Sequence, residues 1–146
     1  MNSYDRLRNE QQKRVNEFLN KYCFFAFSKD QFSEGMKKLG IDPEQTGVLV
    51  SIGGGGYLLK DHAKEYKALA EQLAEEQKTA EDDPENGDQF IFDMFYSELN
   101  NHEYSYTGDP TDACEALGYT LDEVRANDRL LQGLKKAARQ CLADAE

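Results

Sequence analysis

The sequence predicts an α+β protein: a small three-stranded sheet with a β-hairpin, covered by helices and followed by a largely helical, acidic C-terminal half. Three observations lead there. Residues 22–27 and 48–52 are short apolar runs, the first aromatic and the second β-branched, of the length and composition of buried strands. Gly53, Gly54, Gly55 and Gly56 then join the second run to Tyr57-Leu58-Leu59, which returns alongside it. Elsewhere apolar residues recur with helical spacing, punctuated by capping residues and glycine stops. At 146 residues the chain fits one domain, 1–146, read as a sheet-containing half (1–80), an acidic loop (81–88) and a helical half (89–146).

In chain order, residues 3–21 lack Gly and Pro and place Tyr4, Leu7, Val15, Phe18 and Leu19 loosely on one helical face. After the first strand, Ser28 with Gln31 three residues on reads as a capping box. It opens a helix that carries Phe32, Met36 and Leu39 inward and stops at Gly40. Following the hairpin, Asp61 is the expected cap of a helix over 62–80, where Ala63, Tyr66, Leu69, Ala70 and Leu73 form the apolar stripe. Residues 81–88, with Pro84, Asn86 and Gly87, read as a loop. A helix over 88–101 turns Ile91, Met94, Phe95 and Leu99 inward, with a strand over 89–96 as its rival because aromatics also favour sheets. Residues 100–110 read as a polar connection. Thr111 caps a short helix closed by Gly118, Thr120 with Glu123 forms a second capping box, and Leu130, Leu134, Ala137 and Cys141 mark a terminal amphipathic helix, broken near Asn127-Asp128.

The net charge of -11 is unevenly spread: +3 over residues 1–40, -3 over 41–80, -13 over 81–128 and +2 over 129–146. Residues 81–128 hold fourteen carboxylates against one base, Arg125. Such a segment is repelled by nucleic acid and attracted to basic protein surfaces. The residues expected to meet a partner are Glu81, Asp82, Asp83, Glu85, Asp88, Glu98, Glu103, Asp109, Asp112, Asp122 and Glu123, with Tyr104 and Tyr106 as aromatic anchors. The rival is a set of ordinary solvated helix faces.

Catalytic and ligand motifs are sparse. The glycine run follows a strand and precedes a helix, which invites a phosphate-binding reading through Gly53, Gly54, Gly55, Gly56 and Lys60. It lacks a Gly-Lys-Ser/Thr sequence, and Leu58 occupies the final glycine position of the dinucleotide pattern, so a hairpin turn is the simpler account. The two histidines, His62 and His102, are far apart, and Asn101-His102-Glu103-Tyr104 lacks the second histidine of a zinc helix; no metal or other cofactor is expected. No Gly-x-Ser-x-Gly elbow exists, and the reading leans away from an enzyme, with a triad assembled from distant residues left open. Residues 112–124 have the outline of a helix-turn-helix, but Asp122 and Glu123 open the second helix where phosphates would approach, so a helical hairpin is preferred to DNA binding. Cys23, Cys114 and Cys141 match neither a disulfide framework nor a metal spacing and read as reduced core thiols of a cytoplasmic protein. No apolar run approaches a membrane span, and no membrane partner is expected.

Phe24-Phe25-Ala26-Phe27-Ser28 with Gln31-Phe32, residues 51–57, Asn101-His102-Glu103-Tyr104 and Ala116-Leu117-Gly118 together resemble a small family of phage and prophage proteins without assigned activity, over roughly residues 22–140. The resemblance implies no catalytic residues and no cofactor. It implies a mobile-element accessory protein in the cytoplasm of a bacterial host. By analogy with such proteins, the function expected first is non-enzymatic inhibition of a nucleic-acid-binding defence protein, of the anti-CRISPR or anti-restriction type, by filling a basic groove. The alternatives are a phosphate- or nucleotide-binding protein or small enzyme built on the glycine loop, and a structural module forming homo-oligomers through its terminal helices.

Overall fold

The structure, a computed structural model, describes residues 1–146. It is predominantly helical with one small antiparallel sheet, the α+β class that the sequence predicts. The elements are α1 (Ser3–Tyr22), β1 (Cys23–Phe25), α2 (Lys29–Lys38), β2 (Leu49–Gly53), β3 (Gly56–Leu59), α3 (Ala63–Glu81), α4 (Gly87–Asn101), α5 (Tyr104–Thr107), α6 (Thr111–Ala116), α7 (Leu121–Arg125) and α8 (Asp128–Asp144). Single 3₁₀ turns, Thr46–Val48 and Lys60–His62, precede β2 and α3. The chain forms two compact units, Met1–Asn9 with Glu76–Glu146, and Glu10–Glu75. Helices α1 and α3 each contribute to both.

The first unit is built around α4. Residues 89–96 are helical, not a strand, because Phe90, Ile91, Met94, Phe95 and Leu99 fall on one side at helical spacing and every one is buried. Leu130, Leu134, Ala137 and Cys141 of α8, Ala113 and Cys114 of α6, Val124 of α7 and Tyr4 of α1 close over them. Helices α4 and α8 approach closely at Gly133, where a Cβ would stand 2.3 Å from Ile91 Cγ2. Fully burying each large apolar side chain here is worth about 1.5–3 kcal/mol.

The second unit carries the sheet, in strand order β1-β3-β2. Cys23 pairs with Leu58 and Phe24 with Tyr57, while Leu49 pairs with Leu59 and Ser51 with Tyr57. An irregularity between Ser51 and Gly53 leaves Ile52 as a bulge before the turn. Helix α2 covers one sheet face through Phe24, Phe32, Met36 and Tyr57, and Gly35 admits the Phe24 ring, which would stand 2.0 Å from any Cβ there. Helices α1 and α3 run antiparallel in this unit, joined by aromatic stacking: Phe18 on Tyr66 at 5.8 Å and Tyr22 on His62 at 3.7 Å.

Several local expectations are corrected. Ser28 caps α2 by accepting from Gln31 N–H, but the Gln31 amide oxygen reaches one residue further back, to Phe27 N–H at 2.7 Å. Asp61 lies inside a 3₁₀ turn and caps nothing. Thr111 is the first helical residue of α6; Asp109 does the capping, accepting both its N–H at 2.9 Å and its hydroxyl at 2.6 Å. The connection over 100–110 contains the one-turn helix α5. The loop expected over 81–88 shrinks to 82–86, because Glu81 ends α3 and Gly87 begins α4. The break before α8 is capped by Asn127, which accepts from Leu130 N–H.

Candidate functional site

The fourteen carboxylates of residues 81–128 divide into two populations. Eleven are exposed, whereas Glu81, Asp93 and Glu98 are buried. A buried carboxylate is tolerated only when its lone pairs are met, and all three are. Glu81 accepts the Tyr119 hydroxyl at 2.5 Å and the Gln77 amide at 3.1 Å. Asp93 accepts Ser3 N–H at 3.1 Å and its hydroxyl at 2.6 Å, so a side chain of α4 caps the first turn of α1; the Gln89 amide donates to its other oxygen. Glu98 accepts the Tyr4 hydroxyl at 3.2 Å and the Asn101 amide at 3.1 Å. Burial, then the neighbouring carboxylate, pushes both Tyr4 and Tyr119 above the usual tyrosine range and keeps their hydroxyls as donors. Glu81 and Glu98, expected to meet a partner, are thus internal struts.

Part of the exposed set is held by main-chain and side-chain bonds of its own. Asp83 accepts Glu85 N–H at 2.8 Å and Asn86 N–H at 3.0 Å; these donors hold its carboxyl below the usual range and shape the turn before α4. Arg129 of α8 forks onto Asp88, with Nε at 3.0 Å and Nη2 at 2.9 Å, and Nη2 also donates to the Glu81 carbonyl. Asp82 lies 3.9 Å from its Nη1. Gly87 is obligatory beside this clasp, because a Cβ there would stand 2.3 Å from the Glu81 carbonyl oxygen. The acidic turn is therefore neutralised in part by a base one residue outside the segment whose composition marks it out.

Further along, Glu103 takes a left-handed backbone, φ 56°, the only non-glycine residue to do so. That kink starts α5 and leaves Tyr106 91% exposed, while Tyr104 packs partly onto the core. Asp109 follows in the exposed connection into α6, Asp112 lies exposed in the first turn of α6, and Asp122 and Glu123 stand in the first turn of α7, where Glu123 closes the capping box with Thr120. The Thr111 hydroxyl, then its N–H, holds Asp109 below the ordinary carboxylate range. The result is an exposed tyrosine in a run of chain whose charged side chains are all acids.

The glycine run is a hairpin turn. Gly53, Gly54 and Gly55 have φ of 83°, 57° and 80°, and only Gly54 and Gly55 separate the strands. Gly55 and Gly56 also lie under aromatic rings: a Cβ at Gly55 would stand 2.5 Å from Phe27 Cε1, and one at Gly56 3.0 Å from Phe25 Cε1. Turn geometry and these rings account for the glycines, and Lys60 follows β3 in an exposed 3₁₀ turn. No three of His, Cys, Asp and Glu come together as a metal-holding group. The three cysteines are free thiols, each pushed up by burial and buried against the core or sheet. No helix is long and apolar enough to cross a membrane.

Composition did not reveal the internal carboxylates, though one signal was present. Ile91, Met94, Phe95 and Glu98 follow the inward period of α4, so the spacing itself puts Glu98 on the core face. Phe25 and Phe27, which the sequence places in a buried strand, are both exposed. The chain belongs to the family described as "Family of unknown function (DUF7659)", whose model matches residues 3–140. No curated protein and no solved structure matches it.

Proposed function

We propose that the protein is a non-enzymatic binding module whose acidic unit captures a basic protein surface, most specifically the nucleic-acid groove of a bacterial defence protein. The observation that carries this reading is the separation of charge. Met1–Asn9 with Glu76–Glu146 holds eighteen carboxylates against eight basic side chains, a net -10, while Glu10–Glu75 holds ten against nine. With three of the eighteen internal, fifteen acids face eight bases on the surface of the first unit, which stays net negative. Its exposed aromatic, Tyr106, supplies the anchor that charge alone lacks, since tyrosine in a polar ring is a common hot spot. Long-range attraction would steer a basic partner and repel nucleic acid. The resemblance to phage proteins supports a defence protein of the bacterial host as that partner.

The test is capture from a nuclease-treated bacterial lysate, followed by reconstitution with the purified partner. Binding at about 50 mM salt should weaken at least tenfold by about 500 mM, as screened surface charge does. A variant combining Asp82→Asn, Glu85→Gln, Asp112→Asn and Asp122→Asn should lose capture, and Tyr106→Ser alone should weaken it. Retention by both variants at high salt would remove the acidic unit as the binding surface.

A further inference from the structure

The free edge of β1 is used by neither the acidic unit nor the hairpin. In the order β1-β3-β2, β1 is paired on one side only. Ala26 N–H donates to the Gly55 carbonyl at 2.9 Å, so by antiparallel alternation the peptide groups of Phe24 and Ala26 face β3. Those of Phe25 point the other way, and no group of the protein meets them. Beside this edge runs an open cleft of about 420 Å³, walled by Leu19 and Asn20 from α1 and by Gln31, Gly35 and Lys38 from α2. That volume lies within the range of ligand pockets, about 300–1,000 Å³. Phe25, 52% exposed, and Phe27, 78% exposed, stand on its lining, their rings over the bare backbone of Gly56 and Gly55.

We propose that this edge docks an extended peptide from a partner protein, added as a fourth strand along β1 with an apolar side chain lodged against Phe25 and Phe27. The unpaired N–H and C=O of Phe25 select the occupant. A helix has no free main-chain groups to pair with them, whereas an added strand satisfies both and presents alternate side chains to the groove. A second copy of the chain fits less well: β1 is three residues long and its cleft is walled by α1 and α2, so two such edges reach each other poorly. A flexible peptide enters along the cleft. The cleft carries one acid, Glu34, and one base, Lys38, so alternation of apolar residues rather than charge is the selected property. This separates the site from the salt-sensitive acidic surface.

The experiment is selection of random dodecapeptides displayed on phage against the full chain, with the enriched peptides then synthesised. Enriched sequences should alternate apolar residues and lack a central proline. Their affinity, read by fluorescence anisotropy, should change less than about twofold between 0.05 and 0.5 M salt. Phe27→Ser, at an exposed position, should weaken binding about tenfold. Phe25→Pro, which removes the edge N–H, should weaken it about fivefold. Exchange of the Phe25 amide should slow on saturation with peptide. The proposal is overturned if no sequence is enriched, or if the enriched peptides bind Phe27→Ser as well as the parent and leave the Phe25 amide unprotected. It is equally overturned if the chain alone sediments as a dimer that Phe27→Ser dissolves, since the occupant would then be a second copy.

Discussion

The two units of this chain solve the problem of burying a small core in opposite ways. In Met1–Asn9 with Glu76–Glu146, a helix with five large apolar residues inward gathers a cluster of fourteen buried side chains, and acids outnumber bases among the charges left outside it. In Glu10–Glu75, the cluster beneath α2 has only three buried members, Phe24, Ala26 and Met36, and aromatic rings remain at the surface. The first unit therefore stores its stability in depth and presents charge. The second holds together by stacking at its margins and presents apolar rings and an open strand edge.

The sharpest way to break the comparison is to truncate one aromatic in each unit. Phe95 is fully buried among α4, α8 and their neighbours, so Phe95→Ala should cost about 3–5 kcal/mol, the transfer loss plus an unfilled cavity. Phe27, 78% exposed, loses little by truncation, and Phe27→Ala should cost under about 0.5 kcal/mol. Urea unfolding followed by circular dichroism measures both. Equal costs would mean that the second unit depends on its exposed rings for folding, and that they are not free to serve a ligand.

A second contrast concerns the internal carboxylates, which only the first unit has. Tyr119 donates to the buried Glu81, and Tyr119→Phe should cost about 1–2 kcal/mol near neutral pH by leaving that carboxylate short of a donor. The pH dependence has a definite sign. The folded-state pKa of Tyr119, like that of Tyr4, is raised above the ordinary value of 10.0, so the folded chain holds its proton more tightly than the unfolded one. That contribution is fully present below pH 10 and is lost as pH rises above it towards the folded value. Alkaline titrations of stability should fall in this window, and Tyr119→Phe should make the fall shallower.

What could be read from the chain beforehand was its local punctuation. Ser28 and Thr120 cap, Gly40 and Gly118 end helices with positive φ, and the glycine run turns a hairpin, because each depends on the residue and its immediate neighbours. The α+β class followed from the same signals. What could not be read was which carboxylates turn inward. Glu81 and Asp83 differ by two positions, yet one meets a tyrosine hydroxyl 38 residues away and the other shapes its own turn. Arg129 likewise joins the acidic turn only because α8 lies against α4. Such pairings are tertiary, and a charge count along the chain cannot see them. Nor could the apolar run at Tyr22-Cys23-Phe24-Phe25-Ala26-Phe27 show that its strand would be an edge, with Phe25 and Phe27 left exposed.

The smallest contrast is the sign of a single surface charge. Glu115 is exposed near the C-terminal end of α6, where the helix dipole disfavours a negative charge, and it lies in the unit that carries a net -10. Glu115→Gln should therefore stabilise the protein by about 0.2–0.5 kcal/mol at low salt, relieving both the dipole and the self-repulsion. Glu34 of α2 stands three and four residues before Lys37 and Lys38, in a unit close to neutrality. Glu34→Gln should lose about 0.2–0.5 kcal/mol of helix pairing instead. Urea, being uncharged, allows both to be measured at about 20 mM and about 500 mM salt, and each effect should shrink at the higher concentration. Two changes of the same chemistry would then move stability in opposite directions. If both destabilise, the acids of the first unit are paired by bases well enough to cancel, and its surface is not the net-negative field that a basic partner would require.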